Sequence, residues 1–207
     1  MDARDGILKA AEAVFARHGF RQTAMAMVAE QAGLTRQALY HHFASKEALF
    51  AALVDALQEN ALASAKAAAA RGGGDLSETV YRIMLAHHKS FVASVAGSPF
   101  AAELVEEGNK RCVSAVAAHA RRFEKELEAA IAAQVRAGRF VLRTGVAPRD
   151  LAEMATVAAK GVKVVYAAEG ELRYAQALKR MIEVVCAGAA KAPAKAMRTG
   201  KLRRTGS

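Results

Sequence analysis

Apolar residues recur at steps of three and four along almost the whole chain, the period of an amphipathic helix, and no stretch reads convincingly as a strand. Ile7, Leu8, Ala11, Val14 and Phe15 form one such stripe, which stops at "RHGF". There Gly19 is suited to the left-handed conformation that ends a helix, and Phe20 to packing back on the last turn. Thr23 is predicted to cap a second helix over 24–32, closed by Gly33; Thr35 caps a third over 36–43; Ser45 caps a fourth that runs from Lys46 to about 71, where "RGGGD" breaks it. Further helices are predicted over 76–96, 99–108, 109–137, 148–168 and 171–189, with Pro99 and Pro148 at first-turn positions. The pattern predicts an all-α fold in which three short N-terminal helices share a small core and a longer set forms a second body.

Composition agrees: 53% of the 207 residues are hydrophobic and only 3 are proline. The net charge of +10 raises the expectation of a polyanionic partner, yet its distribution is uneven. Residues 1–60 hold 6 Lys and Arg against 7 Asp and Glu, residues 61–190 hold 18 against 13, and residues 191–207 hold 6 against none. The three-part division that follows is 1–45, 46–190 and a basic tail, 191–207, expected to be disordered. Cys112 and Cys186 are far apart and lack a C-x-x-C spacing, as in a reducing compartment. The N-terminus has no signal-type apolar run and no segment reaches the length of a membrane helix, so a cytoplasmic location and no membrane partner are expected.

Residues 33–43, "GLTRQALYHHF", carry the chemistry. Two helices crossing steeply through a short turn need a small residue at the crossing, here Ala29, and a dihedral-tolerant one in the turn, here Gly33. Leu39 and Phe43, one turn apart, anchor the third helix inward with Val28 and Leu34. The opposite side then presents Arg36, Gln37, Tyr40 and His41, all able to hydrogen-bond to DNA. Arg pairs bidentately with guanine and Gln with adenine. Adjacent His41 and His42 diverge by about 100° on a helix, which disfavours chelation by the pair.

Together "ILKAAEAVFARHGF", "AEQAGLTRQALYHHF" and "SKEALF" resemble the N-terminal region of the TetR family of bacterial transcriptional regulators over Ile7 to Leu53. The resemblance implies a helix-turn-helix DNA-binding domain followed by a helical ligand-binding and dimerisation domain. It implies phosphate contacts from Tyr40, Lys46 and Thr23, base readers at Arg36, Gln37 and His41, and Thr35 within the same DNA-binding set. The chain departs from the family pattern at Gln37, where glycine is frequent, and at Ala26 and Met27, where polar residues are frequent.

In the body, Met84, His88, Phe91, Phe100, Leu104, Cys112, Val116 and His119 are candidate neighbours of a ligand cavity, being mostly apolar with a few polar groups to orient a small molecule. The last two helices are apolar over a wide arc. Leu151, Met154, Val157, Gly161, Val162, Val165, Leu178, Met181, Ile182 and Val185 are the candidate homodimer interface, a four-helix bundle with a second copy. Glu103, Glu106 and Glu107 read as a solvated helix face. No catalytic constellation, metal set or cofactor motif emerges; Cys112 and His119 alone fall short of a metal site. The expected function is a dimeric regulator, a repressor released from a palindromic operator in double-stranded DNA by a small-molecule effector. The alternative is a helical DNA-associated protein that uses its basic tail without reading sequence.

Overall fold

The computed structural model describes residues 2–95, 97–166 and 169–191, and the tail from 192 onward lies outside the described residues. Among them the regular structure is helical: α1 (Ala3–Gln22), α2 (Met25–Gln31), α3 (Arg36–His42), α4 (Lys46–Ala70), α5 (Leu76–Ala93), α6 (Ala101–Arg111), α7 (Val113–Arg136), α8 (Pro148–Tyr166) and α9 (Glu171–Ala189). A single antiparallel bridge, Leu142 to Ala190, ties the α7–α8 loop to the end of α9. No described helix is long and apolar enough to cross a membrane.

Apolar side chains divide into two clusters. The first gathers Ile7, Ala11, Val14, Phe15 and Phe20 of α1 with Val28, Ala29, Leu39 and Phe43, and is completed by Leu49, Phe50, Leu53 and Val54 of α4 and by Leu104 and Cys112. Its centre is aromatic, with Phe50 edge-on to Phe15 at 5.2 Å and Phe20 stacked on Phe15 at 5.9 Å. Burying each such ring contributes about 1.5–3 kcal/mol. The second cluster runs from Leu62 and Ala65 of α4 through Val80, Ile83, Leu127, Ile131 and Leu151 to Leu178 and Ile182. Helix α4 belongs to both, so the core of the N-terminal unit continues past residue 45 as far as Val54.

Several helix ends differ from the sequence expectation. At Gly19 (φ 73°, ψ 171°) α1 breaks as expected, but a further turn follows to Gln22. Asp75, Thr35 and Ser45 each accept an amide of the following first turn. Thr23 does not cap α2: it is buried and its hydroxyl donates to the Gly19 carbonyl at 2.6 Å, leaving Ala24 as a cap without a side-chain bond. Pro148 opens α8, whereas Pro99 lies outside α6, which Phe100 precedes. The break expected after Gly108 falls instead at Cys112, because Gly108 packs within α6 and adopts no left-handed conformation.

Candidate functional site

The α2–α3 turn is fixed by backbone bonds from Gly33 to Glu30 O (3.1 Å) and from Leu34 to Ala29 O (2.8 Å). Gly33 has φ +67°, and a Cβ built there would meet nothing within 4 Å. Dihedral freedom rather than space therefore requires the glycine. Thr35 Oγ1 accepts from Ala38 N at 3.1 Å and starts α3, while buried Leu39 and Phe43 set its rotation. Arg36, Gln37, Tyr40 and His41 are consequently exposed on one side, with the Arg36 guanidinium 5.5 Å from the Tyr40 ring centroid. These side chains offer donors and acceptors, on a seven-residue helix, to anything that meets that face.

Lys46 has an engagement the sequence did not disclose. Its Nζ donates to the carbonyls of Phe20 (2.9 Å) and Arg21 (3.2 Å) and lies 4.6 Å over the Phe20 ring. A cation at the carbonyl end of α1 satisfies open acceptors and complements the helix dipole.

On the other side of α1, α6 grips the same turn. The Arg21 amide donates to Glu103 Oε1 at 2.9 Å, and Glu107 bridges Arg111 (2.6 Å) and Arg21 (3.5 Å). Glu107 is thus buried, not part of a solvated face; the Arg111 hydrogen bond chiefly holds its carboxyl below the usual range. A Cβ on Gly19 would sit 2.8 Å from Glu103 Oε2 and 2.9 Å from Phe100 Cδ1, so the glycine also permits this close approach. Ser98, just before α6, donates to Ala16 O at 2.6 Å.

Directly above α6 lies a cavity of about 290 Å³. It brings together Met84, His88, Phe91, Leu104, Val116 and His119 from the expected set. Phe100 and Cys112 do not line it; both pack with the first cluster, Phe100 because it closes on Gly19 at the start of α6, and Cys112 because α6 extends to Arg111 and carries it toward α1 and α4. His87, Gln58, Thr156, Lys163 and Tyr174 line it without having been expected. His87 Nε2 meets His119 Nε2 at 2.8 Å, so one ring donates and the other accepts. Burial first, then neighbouring His119, His88 and Lys163, lowers His87 to about 4; burial likewise lowers His88 to about 4, stacked 3.7 Å from Tyr174. Burial pushes Tyr174 up to about 12 and Lys163 below its ordinary value. Among the described residues no group of three or more His, Cys, Asp or Glu is arranged to hold a metal.

On α8 and α9 the structure sorts the expected interface set by burial. Leu151, Val162, Leu178 and Ile182 belong to the core of one chain and cannot face a second copy, and Val185 is half-buried. Met154, Val157, Gly161, Val165 and Met181 are exposed, joined by Val164 (86%) and Val184 (70%), which sequence periodicity alone did not separate from the core.

Residues 7–53 match the family model described as bacterial regulatory proteins, tetR family. Over 58 residues the chain is 45% identical to the HTH-type transcriptional regulator TtgR of Pseudomonas putida, covering 28% of each protein. Over 84 residues it is 40% identical to the HTH-type transcriptional repressor AcnR of Corynebacterium diphtheriae, covering 41% of this chain and 40% of that one. The matched stretches therefore span less than half the length of these curated relatives. The whole fold is similar to that of SmeT, the repressor of the Stenotrophomonas maltophilia multidrug efflux pump SmeDEF, with a TM-score of 0.67 and 25% identity over 91% of each chain.

Proposed function

We propose that this chain is a regulator of the TetR family, as the match of its residues 7–53 supports, and that it is a dimeric, sequence-specific repressor of transcription released from a palindromic operator by a small molecule. The observation that carries the reading is the exposed row Arg36, Gln37, Tyr40 and His41 on a helix whose rotation is locked by Leu39, Phe43 and the Gly33 turn. Arg36, Gln37 and His41 read base edges in the major groove; Tyr40, Thr35 and Lys46 hold phosphates. Thr23 is left out of this set, its hydroxyl being turned inward to Gly19. Lys46 spends two contacts on α1 carbonyls and keeps a third donor for a phosphate.

Dimerisation uses the exposed apolar rows of α8 and α9, which in two copies close as a four-helix bundle and pair two recognition helices about one helical turn of DNA apart. The cavity takes the effector. Helix α6 floors it with Leu104, Val105, Gly108 and Asn109 while holding Arg21 through Glu103 and Glu107, so a ligand that moves α6 moves α1 and the reading head with it. A coupling of about 1–3 kcal/mol changes affinity roughly 5- to 150-fold, enough for a switch. Selection of bound sequences from random duplex DNA tests the reading: a two-fold symmetric site protected against excess random competitor is expected, and enrichment of no sequence overturns it.

A further inference from the structure

Cations outnumber carboxylates around the cavity. Lys160 and Lys163 of α8 line it, and Glu12 of α1 is the one carboxylate among its described lining residues. Neither lysine has a carboxylate partner among the described residues; Lys163 Nζ instead lies 5.6 Å from the Phe91 ring centroid. Both lysines are solvent-exposed where they border the cavity, and a ring face offers the Lys163 ammonium only part of what an anion offers. The histidines do not add to this charge, since His87 and His88 are neutral near pH 7, even with Glu171 raising His88. His119 is also held below its ordinary value by burial, against the raising influence of Glu59 and Asp55.

The walls are flat as well as apolar. His88 stacks on Tyr174 with 3.7 Å between centroids at 23°, and His87 lies 4.0 Å from Phe123 at 31°. Such faces favour an aromatic guest by offset or edge contact. His119 adds a buried Nδ1 with no hydrogen-bond partner among the described residues. The volume of about 290 Å³ lies just below the ~300–1,000 Å³ typical of ligand sites, which suits a small guest.

We propose that the cavity takes a planar aryl carboxylate, its rings between the aromatic walls and its carboxylate paired with Lys163. This rests on the reading of the cavity as the effector site and names the chemistry of what enters it. A lipophilic cation is disfavoured by the same pair of lysines that attracts the anion. A bound carboxylate supplies the counter-charge that Lys163 lacks and restores its pKa toward the ordinary lysine range.

The test uses the full chain without DNA. Because the sequence has no tryptophan, fluorescence of 2-naphthoate, 2-naphthamide and 2-naphthylmethylammonium is read without an indole background, and calorimetry adds decanoate. Naphthoate is expected to bind at least roughly tenfold more tightly than the other three, as for a hydrogen bond to a charged group. Lys163→Met, with Lys163→Gln as the second variant, is expected to bring naphthoate down to the level of the amide and leave the amide within about twofold. Equal binding of the amide or of decanoate, preference for the ammonium, no uptake of naphthoate at millimolar concentration, or an unchanged preference in both variants overturns the proposal. Uptake of naphthoate with operator affinity unchanged leaves this assignment standing and overturns the effector role. Specific operator binding with no uptake does the reverse.

Discussion

The backbone amide of Arg21, in the last turn of α1, donates to the carboxylate of Glu103 on α6 across a distance of 2.9 Å. A main-chain donor is fixed to the chain, so the bond ties the position of α6 to the backbone that leads into α2 and α3. Glu103→Ala is expected to lower operator affinity several-fold in the ligand-free protein, within the roughly 5- to 150-fold range of such couplings, although no DNA contact is touched. Glu103→Gln, which keeps an acceptor, should lose less. Fluorescence anisotropy with labelled operator measures both, and an unaltered affinity in the alanine variant would show that α6 is not coupled to DNA binding.

The proposed roles of Arg36 and Lys46, reading and holding, are separable. Arg36→Ala should relax preference at one operator position by about 1–3 kcal/mol and leave other positions alone. Lys46→Ala should weaken binding to every sequence and flatten the salt slope by about one unit. Because Lys46 also closes the carbonyl end of α1, its removal is expected to cost about 1 kcal/mol of stability in urea titration. A change confined to sequence preference in the Lys46 variant would reverse the assignment of roles.

Burial on α8 and α9 separates the proposed association surface from the core. Val157→Asp and Val164→Asp place a charge on the exposed row and should yield a folded monomer, seen as an undiminished helical circular dichroism signal with halved mass in light scattering. Leu178→Asp buries a charge in the core and should abolish folding. A wild-type chain that sediments as a monomer at micromolar concentration removes the dimeric model altogether.

The cavity histidines make stability depend on acidity. His87 and His88 have ordinary values of 6.5 and folded values of about 4, so between these limits the unfolded chain binds more protons and stability rises with pH. Their contribution is complete above about pH 6.5 and is lost as the pH falls toward 4. The melting temperature should therefore drop across that interval, and His87→Asn should shallow the drop. An identical pH profile in the variant would place the acid sensitivity elsewhere.

Much of this architecture is legible from residue order. Gly33, Leu39 and Phe43 fix the turn and the rotation of α3 by local sterics, which is why the outward row could be named from eleven residues. What depends on distant packing was not legible. Thr23 had the right side chain for a cap, but a competing acceptor four residues back took its hydroxyl. Phe100 and Cys112 are apolar or weakly polar as a cavity lining needs, but Phe100 closes on Gly19 and the length of α6 turns Cys112 toward the first cluster. Lys163 carried a signal that went unused, a lysine one residue after buried Val162 on a largely apolar helix. The row of α8 and α9 side chains read as one wide apolar arc because periodicity reports hydrophobicity and not which neighbour covers it.

Helix α4 contributes Leu49 to Val54 to one core and Leu62 to Ala68 to the other. Anyone assembling a chimaera by joining this N-terminal unit to a foreign helical body must therefore splice beyond Val54. A junction at residue 45 would strand Phe15 and Phe20 without the Phe50 ring that seals them, and the hybrid would fail before its specificity could be assayed.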